Sequence, residues 1–229
     1  MWTTRTKVGW SLLLLGAVLM ALFASRYYAF DPDTYFERQR TVYEAKTLGL
    51  MIHITGMLFA VLAGPFQFRR SLRERHFRFH RALGKLYIAG ATVGALGGIY
   101  MAQYSASGTP SDLGFGFLGI GVLLTTTLAL ARITRGNVQS HREWMTRSYA
   151  LIFAAVMLRL EVSPLEAAFG EHTGYAIVAW ACWVPNLAFA EWLIRSRLRL
   201  HPEAPRAPLP VAAATPSKDG AVVDVGYQL

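Results

Sequence analysis

The chain carries a single cysteine, Cys182, so no intrachain disulfide and no cysteine-based metal site follows from its composition. It has no glycine-rich phosphate loop, no His-Glu-x-x-His pair and no nucleophile elbow, which disfavours a nucleotide-dependent enzyme or a soluble-type hydrolase. Charge is scarce: Asp, Glu, Lys and Arg make up 16% of 229 residues, against 53% hydrophobic residues. That balance is too apolar and too blocky for an ordinary soluble domain, and it makes the lipid bilayer the implied solvent.

Long apolar runs are present instead. They recur at Val8 to Ser25, Leu48 to Phe66, Ala82 to Met101, Leu113 to Ile133, Met145 to Leu160 and Gly174 to Ile194. At a rise of about 1.5 Å per residue, roughly 20 helical residues cross a hydrocarbon core of about 30 Å. The runs therefore predict an all-α, polytopic transmembrane bundle of about six helices, the fifth being the shortest.

A net charge of +9 and a pI near 10.0 raise the question of nucleic acid, and the positions of the basic residues answer it. With alternating spans, Arg5, Lys7, the stretch Arg69 to Lys85, Arg132, Arg135, Arg142, Arg147 and Arg195 fall on one side. On the other, Arg26, Arg38, Arg40 and Lys46 are offset by Asp31, Asp33, Glu37 and Glu44, and the later loops have Asp112, Glu166 and Glu171 without Lys or Arg. The positive-inside bias puts the basic side and both termini in the cytoplasm, in an inner membrane crossed several times, and no nucleic acid is needed to explain the charge. The first run resembles a signal peptide, but bulky Leu22 stands three residues before a break after Ala24, so an uncleaved anchor is expected.

The stretch Arg26 to Lys46 mixes Tyr27, Tyr28, Phe30, Tyr35, Phe36 and Tyr43 with charges, as an interfacial periplasmic segment would. Residues 1–200 form one membrane domain; the Pro- and Ala-rich stretch 201–229 is expected to be a disordered cytoplasmic tail. Gly49, His53, Gly56 and Ala60, then Gly90, Gly94 and Gly98, mark faces on which helix backbones approach closely. Phe79-His80-Arg81 with Gly84, Lys85 and Tyr87 is echoed by Ser140-His141-Arg142 with Met145, Arg147 and Tyr149, a pattern that paired hairpins would produce.

Chemistry is sought in the intramembrane and interfacial polar residues. His53, seven residues beyond Lys46, is either an interhelical hydrogen bond or a ligand or proton-relay group. His80 and His141 are either interface anchors or ligands to a metal or to haem b, with Gly84 leaving room for a macrocycle and Arg81, Arg142 and Arg147 as cations for its propionates. Arg159, with Glu161 close by, is either a snorkelling or locally paired residue or a contact for an anionic headgroup or propionate. Glu191 and Arg195 are spaced as an i,i+4 pair, and Pro185-Asn186 as a kink whose freed backbone groups Asn186 can meet.

His53 followed by Gly64-Pro65-Phe66-Gln67-Phe68, then His80-Arg81-x-x-Gly84-x-x-Tyr87, then His141-Arg142-x-Trp144-Met145-x-Arg147-Ser148-Tyr149 with Arg159 downstream, resembles a bacterial family of predicted membrane proteins catalogued as a domain of unknown function. The resemblance covers roughly Lys46 to Glu161 and implies a multi-helix membrane protein. By looser analogy the His-bearing helices resemble membrane b-type cytochromes such as the transmembrane ascorbate and ferric reductases. Three functions are open: a haem-b-type redox protein with a membrane redox partner, a transporter or anionic-lipid-binding protein, and a noncatalytic scaffold or assembly factor.

Overall fold

The computed structural model describes residues 4–200, and the expected tail lies outside the described residues. These residues form ten α-helices and three short 3-10 turns, with no strand among them. In chain order the helices are α1 (Thr4–Ser25), α2 (Arg40–Ala45), α3 (Thr47–Gln67), α4 (Arg70–Arg75), α5 (Phe77–Ala102), α6 (Thr109–Thr134), α7 (Val138–Ile152), α8 (Ala154–Phe169), α9 (Glu171–Ala181) and α10 (Val184–Leu200). Contacts divide the chain at Ile194: the bundle consists of the residues up to it, and Arg195 begins a second unit.

Five segments are long and apolar enough to cross a bilayer: Lys7–Ala29, Thr47–Gln67, Phe77–Ala102, Thr109–Thr134 and Glu171–Ser196. Each coincides with an expected run. The expected fifth run differs, because α7 and α8 meet at Phe153 and neither is long enough to qualify. Both also carry charges, including Arg142, Glu143, Arg147, Arg159 and Glu161, which dilute the apolar pattern. Together they still run from the basic face, where α7 follows the loop after Thr134, to the opposite face, where Arg38 reaches Glu166. We call that second face the cap face, because the segment between α1 and α3 folds over it.

The tightest packing is between α3 and α5, and glycine is the reason. A Cβ on Gly56 would lie 2.3 Å from the Gly94 nitrogen, and one on Gly94 would lie 2.6 Å from the Met57 nitrogen. Backbone meets backbone there, as the small-residue stripe predicts, since without a hydrophobic force between helices in lipid it is close packing that holds them. A second hairpin, α6 with α7, stands beside the first. In the core between them the Ser148 hydroxyl hydrogen-bonds both the Tyr87 phenol and the Thr126 hydroxyl, each at 2.8 Å. Three hydroxyls thus satisfy one another where none could reach water.

Around residue 183 the last span is interrupted between α9 and α10, just ahead of Pro185. Asn186 donates to the carbonyl of Cys182 beside the break at 2.9 Å and to that of Ala150 in α7 at 3.4 Å. Glu191 receives a two-toothed contact from Arg147, through Nε and, at 3.1 Å, Nη2. The i,i+4 spacing of Glu191 with Arg195 did not reveal this tie between α7 and α10.

Candidate functional site

The cap face begins with an aromatic cluster. Tyr27 and Tyr35 are buried and stack at 5.6 Å between ring centroids, and Tyr43 meets both edge-on at 6.0 and 5.9 Å. Tyr28 and Phe30 stay exposed, as interfacial rings would, but the other phenols turn inward over Leu50. Burial pushes the Tyr43 phenol above its ordinary value, so it remains a neutral hydroxyl. Next to the cluster, Gln39 is buried, and with its amide oriented to satisfy both ends it donates to the Tyr104 carbonyl and accepts from the Ala106 amide, each at 3.0 Å. Arg38 pairs with Glu171 at 2.8 Å and Glu166 at 3.5 Å, tying the cap to the ends of α8 and α9.

Beneath the cap the bundle encloses a cavity of about 220 Å³. Its walls are mainly apolar, among them Leu50, Ile54, Met57, Leu118, Val122 and Leu158. Its polar residues are Gln39, His53, Ser105, Arg159 and the tyrosines Tyr27, Tyr43 and Tyr175. A mainly apolar chamber with a few polar groups is the usual form of a ligand pocket. The volume is below the ~300–1,000 Å³ that engulfs a drug-sized molecule, so it suits a head group with the first part of a chain.

His53 lies on the glycine face of α5. Its Nδ1 is 2.8 Å from the Gly94 carbonyl, and a Cβ on Gly98 would lie 2.8 Å from that same nitrogen. Because a carbonyl only accepts, Nδ1 carries the proton and Nε2 is left as an acceptor. The interhelical hydrogen bond is therefore present, on a ring that also lines the cavity.

Arg159 behaves differently. Its guanidinium carbon stands 4.7 Å from the centre of the Phe23 ring, and its Nε is buried without a hydrogen-bond partner. No ion pair joins it to Glu161 or to any other described carboxylate, so the local pair that the sequence allows is not formed. Glu161 in turn keeps a buried, unpartnered Oε2. An arginine lining an intramembrane cavity without a counter-charge is the least compensated group in the site.

His80 and His141 lie within electrostatic reach of one another, as do Arg73 and Arg142. The Nδ1 of His141 donates to the Ala129 carbonyl at 2.8 Å, whereas the Nδ1 of His80 is buried without a partner. The other expected cations are engaged or turned away: Arg147 is held by Glu191 and lies over Trp144, and exposed Arg81 lies 5.8 Å from the Phe77 ring centre. Beside Gly84 a Cβ would meet the side chain of Gln67 at 3.4 Å, an ordinary contact. His76 and His172 are exposed.

Sequence reasoning did not single out Gln39, Tyr27, Tyr43 and Tyr175 as part of one chamber. A buried glutamine in a polar loop leaves no periodic signal; only the density of tyrosines before Lys46 hinted at a packed cap.

A family model described as "Predicted membrane protein (DUF2306)" matches residues 50–194. No curated protein and no solved structure matches the chain.

Proposed function

The chain belongs to the DUF2306 family of predicted membrane proteins, and from that premise we propose that it binds an anionic amphipath inside its helical bundle, as a carrier or lipid-binding protein. Arg159 carries this reading. A charged side chain within a span costs on the order of 3 kcal/mol when nothing compensates it, and an anionic head group entering the cavity offsets that cost. The ligand's head lies under the tyrosine cap against Arg159, and its apolar portion runs along Ile54, Met57 and Leu118. The bundle crosses the inner membrane six times, counting the broken α7 and α8, with both termini in the cytoplasm, as the charge asymmetry favours.

The test uses the purified protein in detergent and cis-parinaric acid, a fluorescent long-chain carboxylate, with its methyl ester as the neutral counterpart. The acid should bind at least about 30-fold more tightly than the ester, and Arg159→Gln should erase that preference. Equal binding of acid and ester by the wild type defeats the proposal.

A haem-b redox protein is the second reading, favoured by the approach of His80 to His141 and by the unpartnered Nδ1 of His80. Arg147, one of the cations expected at the propionates, is instead committed to Glu191. An absorption spectrum of the purified protein, before and after dithionite, separates the two readings.

A further inference from the structure

The cavity holds two groups whose hydrogen-bonding sense is fixed, and they require opposite partners. Arg159 can only donate, and its Nε is buried without a partner. His53 has committed its Nδ1 proton to the Gly94 carbonyl, so its Nε2 can only accept, and no described residue donates to it. A second proton on that ring would add another positive charge to an apolar chamber that already holds an uncompensated guanidinium.

The other polar side chains on the walls set no such demand. Gln39 is satisfied by the Tyr104 carbonyl and the Ala106 amide, and the Ser105 hydroxyl donates to that of Ser111. The phenols of Tyr27, Tyr43 and Tyr175 can each donate or accept by turning the O–H, so they adapt to either kind of ligand. The imidazole cannot adapt in that way. Cβ atoms on Gly97 and Gly98 would lie 3.1 Å from the His53 Cβ and 2.8 Å from its Nδ1, so the ring is seated on bare α5 backbone, and turning it over would break the bond to Gly94.

Their heights in the bundle match. The ring of His53 lies against Gly98, four residues before α5 ends at Ala102, and Arg159 lies over Phe23, two residues before α1 ends at Ser25. At about 1.5 Å per residue, both groups are within roughly 6 Å of the cap-face ends of these helices.

We infer that the anionic amphipath bound in the cavity is a long-chain hydroxy acid, with its carboxylate against Arg159 and a hydroxyl on one of the first carbons donating to His53 Nε2. This selectivity rests on the anion-binding reading of the cavity and gives His53 a separate part in it. A plain long-chain acid satisfies the arginine and leaves the buried acceptor unmet, whereas a hydroxyl beside the carboxylate satisfies both.

Displacement of cis-parinaric acid from the purified full chain by palmitate and its hydroxy derivatives tests it. The tighter-binding enantiomer of α- or β-hydroxypalmitate should exceed palmitate about fivefold in affinity for the wild type, the gain of one satisfied hydrogen bond. The ω-hydroxypalmitate, whose hydroxyl is at the far end of the chain, should gain nothing. His53→Phe should bring the hydroxy acid to within about twofold of palmitate, while palmitate itself stays within about threefold of its wild-type affinity. His53→Asn has a shorter amide that can still donate to the Gly94 carbonyl but places nothing where Nε2 stood; it should lose the preference in the same way, and it decides the matter if His53→Phe does not fold. Equal binding of palmitate and both hydroxy acids by the wild type overturns the assignment. A preference that survives either substitution also overturns it and gives the hydroxyl to one of the phenols. Neither result bears on Arg159, whose role is decided by the preference for parinaric acid over its ester.

Discussion

The ring of Tyr149 lies against Gly64 so closely that a Cβ on the glycine would stand 2.0 Å from its Cε2. Tyr149 is buried, donates to the Val61 carbonyl at 3.2 Å and meets Phe68 edge-on at 5.5 Å, so it has little freedom to retreat. The Gly-Pro-Phe-Gln-Phe stretch that ends α3 and the Arg-Ser-Tyr stretch of α7 are therefore two sides of one contact. Trp10 adds a third element by donating to the Pro65 carbonyl at 2.8 Å.

Gly64→Ala should lower the unfolding free energy by about 1–3 kcal/mol, the usual cost of overpacking. Thermal unfolding in detergent measures it. Tyr149→Ala added to Gly64→Ala should recover part of the loss, since the two changes share one space and are not additive. A Gly64→Ala protein as stable as wild type would show that the ring shifts freely.

The membrane architecture was legible because bilayer thickness sets a length that apolar runs must match, and five of the expected runs coincide with helical segments of spanning length. The α7 and α8 segment was legible only in part: two of its charges meet groups on other helices, Arg147 with Glu191 and Arg159 with the Phe23 ring, and such long-range contacts leave no local pattern. The glycine stripe was readable as packing because its three- and four-residue period is local. The chamber was not, because Gln39, Arg159 and Tyr175 come together only when the cap segment, α8 and α9 have folded. His53 could be identified as a polar group needing a partner, while the partner itself, the Gly94 carbonyl, belongs to backbone and has no signature in side-chain sequence.

Topology can be checked with single cysteines placed at exposed positions, because Cys182 is buried and should stay silent. Cysteines at Asp33 and His172 should react with an impermeant maleimide in intact cells, and those at Arg75 and Arg135 only after the membrane is opened. The opposite pattern would overturn the assignment of both termini to the cytoplasm, and a mixed one the count of six crossings.

Arg38 should act as a latch on the cap. It joins partly buried Glu166 and exposed Glu171, so Arg38→Ala should remove about 1 kcal/mol of local stability with little effect on the bundle. Amide hydrogen exchange over residues 36–46 should then accelerate about fivefold while α3 and α5 stay protected. Exchange rising equally throughout would mean that the cap has no independent opening.

His53 and Arg159 line the same cavity, yet they should fail differently when replaced. The Nδ1 of His53 is committed to Gly94, and a neutral imidazole brings no charge to an anion, so its main duty is to join α3 to α5. Interhelical hydrogen bonds of this kind are worth about 0.6 kcal/mol and rarely exceed about 1.7 kcal/mol in lipid. His53→Phe, which keeps a ring against the glycine face, should therefore cost about 1 kcal/mol in thermal stability and leave affinity for parinaric acid within about threefold. Arg159→Gln should do the reverse, removing an uncompensated charge at little cost to the fold and lowering affinity for the acid by at least about 30-fold. If His53→Phe weakens the acid as much as Arg159→Gln does, the free Nε2 holds the ligand, and the histidine belongs to the binding site as well as to the helix contact.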